Sequence, residues 1–184
     1  GMVSIMCSVP DKSRSSGWLH PIDDPTPGLA PTRALTDKPE IWTVRLEGSD
    51  CRTAEQLFQS AARALDFPRY FGENWAAFDE CLSDLLDLTE GGMGSKFGGH
   101  KGRNVGALRI IFDDADQLLS ADPIESLQIL VSILRDNAQV RNRYGDQEVN
   151  VAELDVYLMS TTGRMGSVRT RFHRAGVLQQ DCAG

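Results

Sequence analysis

Pro68-Arg69-Tyr70-Phe71-Gly72-Glu73-Asn74-Trp75-Ala76-Ala77-Phe78-Asp79-Glu80-Cys81-Leu82 is the stretch that decides the fold. Pro68 ends a preceding helix, because the residue before a proline avoids the α region. Gly72 marks a tight turn. Asn74 has the side chain of a helix N-cap. From there apolar residues recur at Trp75, Phe78, Leu82, Leu85 and Leu86. That three-four rhythm predicts a helix with one buried face, running to about Leu88. Cys81 falls on the apolar side, where a free thiol packs as a small hydrophobe. Glu73, Glu80, Asp84 and Asp87 follow a second rhythm. At about 100° per residue these acids share one stripe of the helix, and Asp79 borders it. Such a stripe suits a basic partner, but it is also what an ordinary solvated helix face looks like.

On the N-terminal side, Thr53 and Gln56 have capping-box spacing, and Leu57, Ala61, Ala64 and Leu65 continue at helical spacing. Ile41-Trp42-Thr43-Val44-Arg45-Leu46 reads as a strand ended by Gly48. Residues 1–40 carry Pro10, Pro21, Pro25, Pro27, Pro31 and Pro39 and show no period, which predicts an extended arm. Trp18, Leu19 and Leu35 are its candidate anchors.

On the C-terminal side, residues 90–104 hold six glycines with Lys96, His100, Lys101 and Arg103. A mobile insertion is expected, with Met93 and Phe97 as the only apolar anchors. Ala107–Phe112 is a second strand. Asp113, Asp114 and Asp116 then lead into a predicted short helix through Leu119. Pro123 opens a long helix whose apolar face is Leu127, Leu130, Val131, Leu134 and Ala138. Leu154–Met159 is a third strand. Residues 161–184 form a basic tail that either makes a short helix or stays loose. Strands separated by helices predict a parallel sheet with helical crossovers. The expected fold is a small two- or three-layer α/β domain over 41–160, with three parallel strands and about four helices. The arm and the tail flank it.

The whole chain carries 26 acidic and 19 basic residues. The 41–160 span is more acidic, with 20 Asp and Glu against 11 Lys and Arg. After Ser160, Arg164, Arg169, Arg171 and Arg174 face Asp181 alone. An acidic domain repels nucleic acid and attracts basic proteins, so no direct nucleic-acid binding is expected. The four cysteines are scattered without metal-ligand spacing, so no metal or cofactor is expected. The N-terminal residues lack a basic lead and an apolar run, and no segment is long and apolar enough to span a bilayer. A cytoplasmic protein with reduced thiols is the expectation.

The run from Pro68 to Leu82 resembles the core motif of the barstar family, intracellular inhibitors of a secreted ribonuclease. The order of elements before and after it agrees over about residues 41–160. The resemblance implies a non-enzymatic protein that plugs a basic active-site cleft with an acidic helix. It implies that Tyr70 packs against the nuclease and that Gly72 and Asn74 shape the turn. Glu80 stands where the family's key aspartate enters the phosphate site. Trp75, Ala76 and Asp79 take neighbouring contact positions, Ala76 where the family has a second important aspartate. Asp136 on the long helix is the best match for a further acidic contact. With Glu73 and Asp84 these complete the implied partner-binding set. The partner would be a basic nuclease, with protection of the producing cell as the outcome.

The chemistry is coherent. A nuclease that holds a phosphodiester lines its cleft with Arg, Lys and His, and carboxylates offer them phosphate-like acceptors. Field complementarity also speeds encounter. A non-inhibitory acidic module for another basic partner is the alternative. Gly91-Gly92-Met93-Gly94-Ser95-Lys96 lacks the spacing of a phosphate-binding loop, which weakens a nucleotide-binding reading. Asp113, Asp114 and Asp116 have no histidine nearby, which weakens a metal-hydrolase reading.

Overall fold

The computed structural model describes residues 17–23, 40–89, 92–94, 97, 105–140, 150–161 and 163–177. The elements are β1 (Leu19–Asp23), β2 (Glu40–Glu47), α1 (Ala54–Ala64), α2 (Trp75–Leu86), β3 (Val105–Asp113), α3 (Ile124–Ala138), β4 (Glu153–Ser160) and α4 (Met165–Arg174). The strands form one parallel sheet in the order β1-β4-β3-β2. The chain steps from β2 to β3 to β4 in one direction. Right-handed crossovers then place the intervening helices on the same face of the sheet.

Burial follows that geometry. Val44 and Leu46, Leu108, Ile110 and Phe112, and Leu154, Val156 and Leu158 enter the main core with side chains of all four helices. The opposite face carries a small separate cluster of Ile111, Tyr157 and Met159, with Ile22 packed on it. Arg109 lies on that face, with its guanidinium 5.0 Å from the Tyr157 ring centroid. Tyr157 stacks in turn on His20, which pairs with Asp155 at 3.2 Å.

The α/β class and the parallel sheet agree with the sequence reading, and a fourth strand is added to the expected three. Part of the N-terminal arm supplies it. β1 has only five residues and contains Pro21, so no alternation announces it. It sits at the sheet edge, where a proline's missing N–H is tolerated. Trp18 and Leu19 do anchor the arm, each 5% exposed, whereas Leu35 lies outside the described residues. The C-terminal segment forms α4, which buries Met165, Val168 and Phe172 and turns its arginines outward or to the rim. Most of the 90–104 insertion lies outside the described residues; Met93 is fully buried and Phe97 packs edge-on against Phe67.

One local expectation is corrected. The segment after β3 is not a helix but a chain of turns, with Gln117 N–H bonding Asp114 C=O and Ser120 N–H bonding Gln117 C=O. Asp113 does not cap a helix. Its carboxylate takes two bonds from the Arg45 guanidinium, at 2.6 and 3.0 Å. Three acids within four residues resemble a helix start, but the cross-strand arginine claims the first of them.

The helix caps match the sequence. Thr53 Oγ1 accepts from Gln56 N–H while the Gln56 side chain returns to Thr53 N–H. α1 closes with Phe67 N–H on Ala62 C=O and Asp66 at φ 53°, the left-handed position that favours glycine. Asp66→Gly should therefore stabilise the fold by about 0.5–1 kcal/mol, read as a raised urea midpoint at constant slope. An unchanged midpoint would mean that the aspartate side chain compensates locally.

Candidate functional site

The turn between α1 and α2 exposes one aromatic ring and half-buries another. Phe71 N–H bonds Pro68 C=O at 2.9 Å, which puts Arg69 and Tyr70 at the corner. Tyr70 is 79% exposed, one of two large hydrophobic residues among the described residues left in solvent. Phe71 folds back onto Phe58 and Phe67. Trp75 joins this aromatic floor, edge-on to Phe58 at 4.8 Å, and stays half-buried. It serves the core first and borders the surface second.

The lead-in to α2 differs from the sequence expectation in one respect. Gly72 does not carry the left-handed conformation; Glu73 does, at φ 46°. Asn74 then caps the helix, its Oδ1 accepting from Ala77 N–H at 2.8 Å and its Nδ2 donating to Gly72 C=O at 3.1 Å. A methyl group at Gly72 would lie 3.1 Å from that Nδ2, so the glycine makes room for the cap.

The acidic stripe is shorter than expected. Glu73 precedes the helix and Asp87 follows it, so Glu80 and Asp84 are the stripe members on α2 itself. Asp87 is the C-cap, and its Oδ1 accepts from Thr89 N–H at 2.9 Å and Thr89 Oγ1 at 2.6 Å. Glu73, Ala76 and Glu80 are exposed, and Asp84 is half-buried. Asp136 is exposed on α3. Cys81 is buried, and its thiol is pushed up by desolvation first and by Asp84 and Glu80 second, so it is an inert packing group.

Asp79 is held differently. Its Oδ1 accepts from Asn137 Nδ2 at 3.0 Å, across the α2–α3 contact. Asn137, 6% exposed, also donates to Ile133 C=O at 2.9 Å and accepts from Ser83 Oγ at 2.8 Å. Sequence reasoning missed Asn137 and Ser83. A signal was present: Asn137 continues the apolar rhythm of Leu127, Leu130 and Leu134 with a polar side chain.

A second concavity lies at the carboxyl ends of β2, β3 and β4. This cleft of about 350 Å³ is lined by Arg45, Glu47, Asp113, Asp114, Met159, Ser160 and Thr161. Desolvation, then the neighbouring Asp113, Asp114 and Asp50, hold the Glu47 carboxyl above its usual range. Among the described residues no group of three or more potential ligands could hold a metal ion. Among the same residues no helix is long and apolar enough to cross a membrane.

The fold is thus an α/β domain whose capped helix α2 carries acids beside an exposed tyrosine. The family model for Barstar (barnase inhibitor) matches residues 41–152, and the chain belongs to the barstar family. No curated protein matches it. Members of this family are inhibitors, not enzymes, and a ribonuclease partner follows at the level of the family. The matched span takes in β2 through α3 and stops short of β4.

Proposed function

We propose that this protein binds a basic nuclease and occludes its active site, acting in the cytoplasm to protect the producing cell. The observation that carries this reading is the exposed Tyr70 ring on a hydrogen-bonded turn, leading directly into the exposed acids Glu73 and Glu80. A ring this exposed buries little area in the free protein. At an interface such a ring contributes large contact area with little entropy to lose. Tyr70, Glu73, Trp75, Ala76, Asp79, Glu80, Asp84 and Asp136 form the proposed docking surface. Glu80 enters the phosphate-binding part of the cleft, and Tyr70 packs beside it. Ala76 removes one charge from the first helical turn, and this tunes the surface to its own target.

The test is capture of partners by the purified protein, followed by cleavage assays on every nuclease retained. Stoichiometric loss of RNA cleavage is expected. Capture of basic proteins whose activity is never slowed would replace the inhibitor with a non-inhibitory acidic module. Tyr70→Ala should weaken the nuclease complex by about 1–3 kcal/mol. Its melting temperature should stay at the wild-type value, because a ring 79% exposed contributes little to the core. A fall in melting temperature with unchanged affinity would reassign Tyr70 to structure.

A further inference from the structure

Asp79 is a surface acid with a buried handle. Asn137 reaches it from α3 and is otherwise enclosed by the helix contact. Burying an amide is costly unless its groups are bonded, and here both Nδ2 donors and the Oδ1 acceptor have partners. The amide has one workable orientation. Reversed, its oxygen would face the Asp79 carboxylate and the Ile133 carbonyl. The bond to Asp79 uses Oδ1 alone. Among the described residues that carboxylate accepts no other hydrogen bond, so Oδ2 is left to accept from outside. Asp79 immediately precedes Glu80, and Asn137 immediately follows Asp136. One amide therefore ties together the parts of both helices that carry the acids of the docking surface.

We propose that Asn137 is a positioning residue that holds Asp79 as a pre-oriented acceptor for a guanidinium or ammonium group of the nuclease, and that locks the acids of α2 in register with Asp136 on α3. This rests on the inhibitor reading. Apolar packing alone lets two helices slide by fractions of an ångström, whereas a fully bonded buried amide has one register. A carboxylate already restrained loses less freedom when it binds. Asp79 thus acts as a specificity-determining contact, and Ser83 supports it through the same amide.

The experiment has two arms. In the unliganded protein, NMR follows the Asn137 side-chain NH₂ protons. They are expected to exchange slowly with solvent, and Asp79→Ala is expected to speed that exchange. In the second arm barnase is the probe. Asp79→Ala and Asn137→Leu should each weaken binding about tenfold, and the double variant should also lose about tenfold in total, not hundredfold. Ser83→Ala, which removes the bond to Asn137 Oδ1 but leaves both Nδ2 bonds, guards against misfolding of the Asn137 variant and should lose less. Fast exchange of the Asn137 amide in the wild type, or additive losses, would overturn the positioning role and leave the inhibitor reading standing. Wild-type protein that neither binds nor inhibits barnase, with the amide still protected, would overturn the docking role of Asp79, and the inhibitor reading would rest on the capture of the protein's own nuclease.

Discussion

Glu80→Ala weakens the nuclease complex by about 2–5 kcal/mol while the free protein melts as before. That is the expected result of the most direct test of the proposed docking surface. The magnitude is general for truncating one member of a desolvated charge pair, with the barnase–barstar interface itself among the measured cases. Much of it is the cost of leaving the partner's cation buried without a counter-ion. Glu80 is exposed on α2 between Ala76 and Asp84, and no structural bond holds its carboxylate among the described residues. Alanine is a better helix former than glutamate at such a site, so the fold loses nothing. Asp87→Ala is the internal control. Its carboxylate is engaged by Thr89 at the helix end, so the change should cost stability a few tenths of a kcal/mol up to about 1 and affinity less than about 1. Calorimetric titration against the captured nuclease, with melting curves alongside, separates the two. Equal small losses of affinity at Glu80 and Asp87 would mean that the helix acts as a diffuse field, and the plugging geometry would be abandoned.

Gly48→Ala destabilises the fold by about 3 kcal/mol or more, without altering the proposed docking surface. Gly48 directly follows β2 and is buried. A methyl group there would lie 2.1 Å from Asp114 O, 2.7 Å from Asp113 O and 2.9 Å from Asp114 C. All three are backbone atoms, so no side chain can rotate away. The end of β2 must then separate from the turn after β3, straining the Arg45–Asp113 pair as well. Overpacking a well-ordered site typically costs about 1–3 kcal/mol, and a backbone-on-backbone clash belongs at the top of that range or above it. Gly163→Ala is the contrast. Gly163 has φ 95° but nothing within 4 Å of an added methyl group, so only backbone strain of about 1–2 kcal/mol applies. Urea unfolding of both variants decides the matter. A Gly48 loss no larger than the Gly163 loss would show that the β2–β3 crossing relaxes cheaply.

Local chemistry was legible where one residue decides one bond. Thr53 with Gln56, Asn74, and the apolar spacing of α2 and α3 each specify a cap or a buried face from neighbours a few residues away, and each reappears in the fold. The family resemblance was legible for the same reason, since Pro68 to Leu82 is one contiguous turn and helix. The fourth strand was not legible. A five-residue edge strand containing proline has no periodicity of its own, and its partner β4 lies more than a hundred residues away. The turns after β3 were not legible either, because three acids there resemble a helix start while Arg45, on another strand, claims Asp113.

The sequence by itself determined the caps of α1 and α2, which face of α2 is apolar, and that acids share its other side, because these depend on spacing along the chain. Tertiary structure alone decided which of those acids are available. It placed Glu73 before the helix and Asp87 after it, engaged Asp87 with Thr89, and tied Asp79 to a buried amide on α3 while leaving Glu80 exposed. The physical reason is that a carboxylate's availability is set by the donors that reach it, and a donor on another helix has no signature in the spacing of its own.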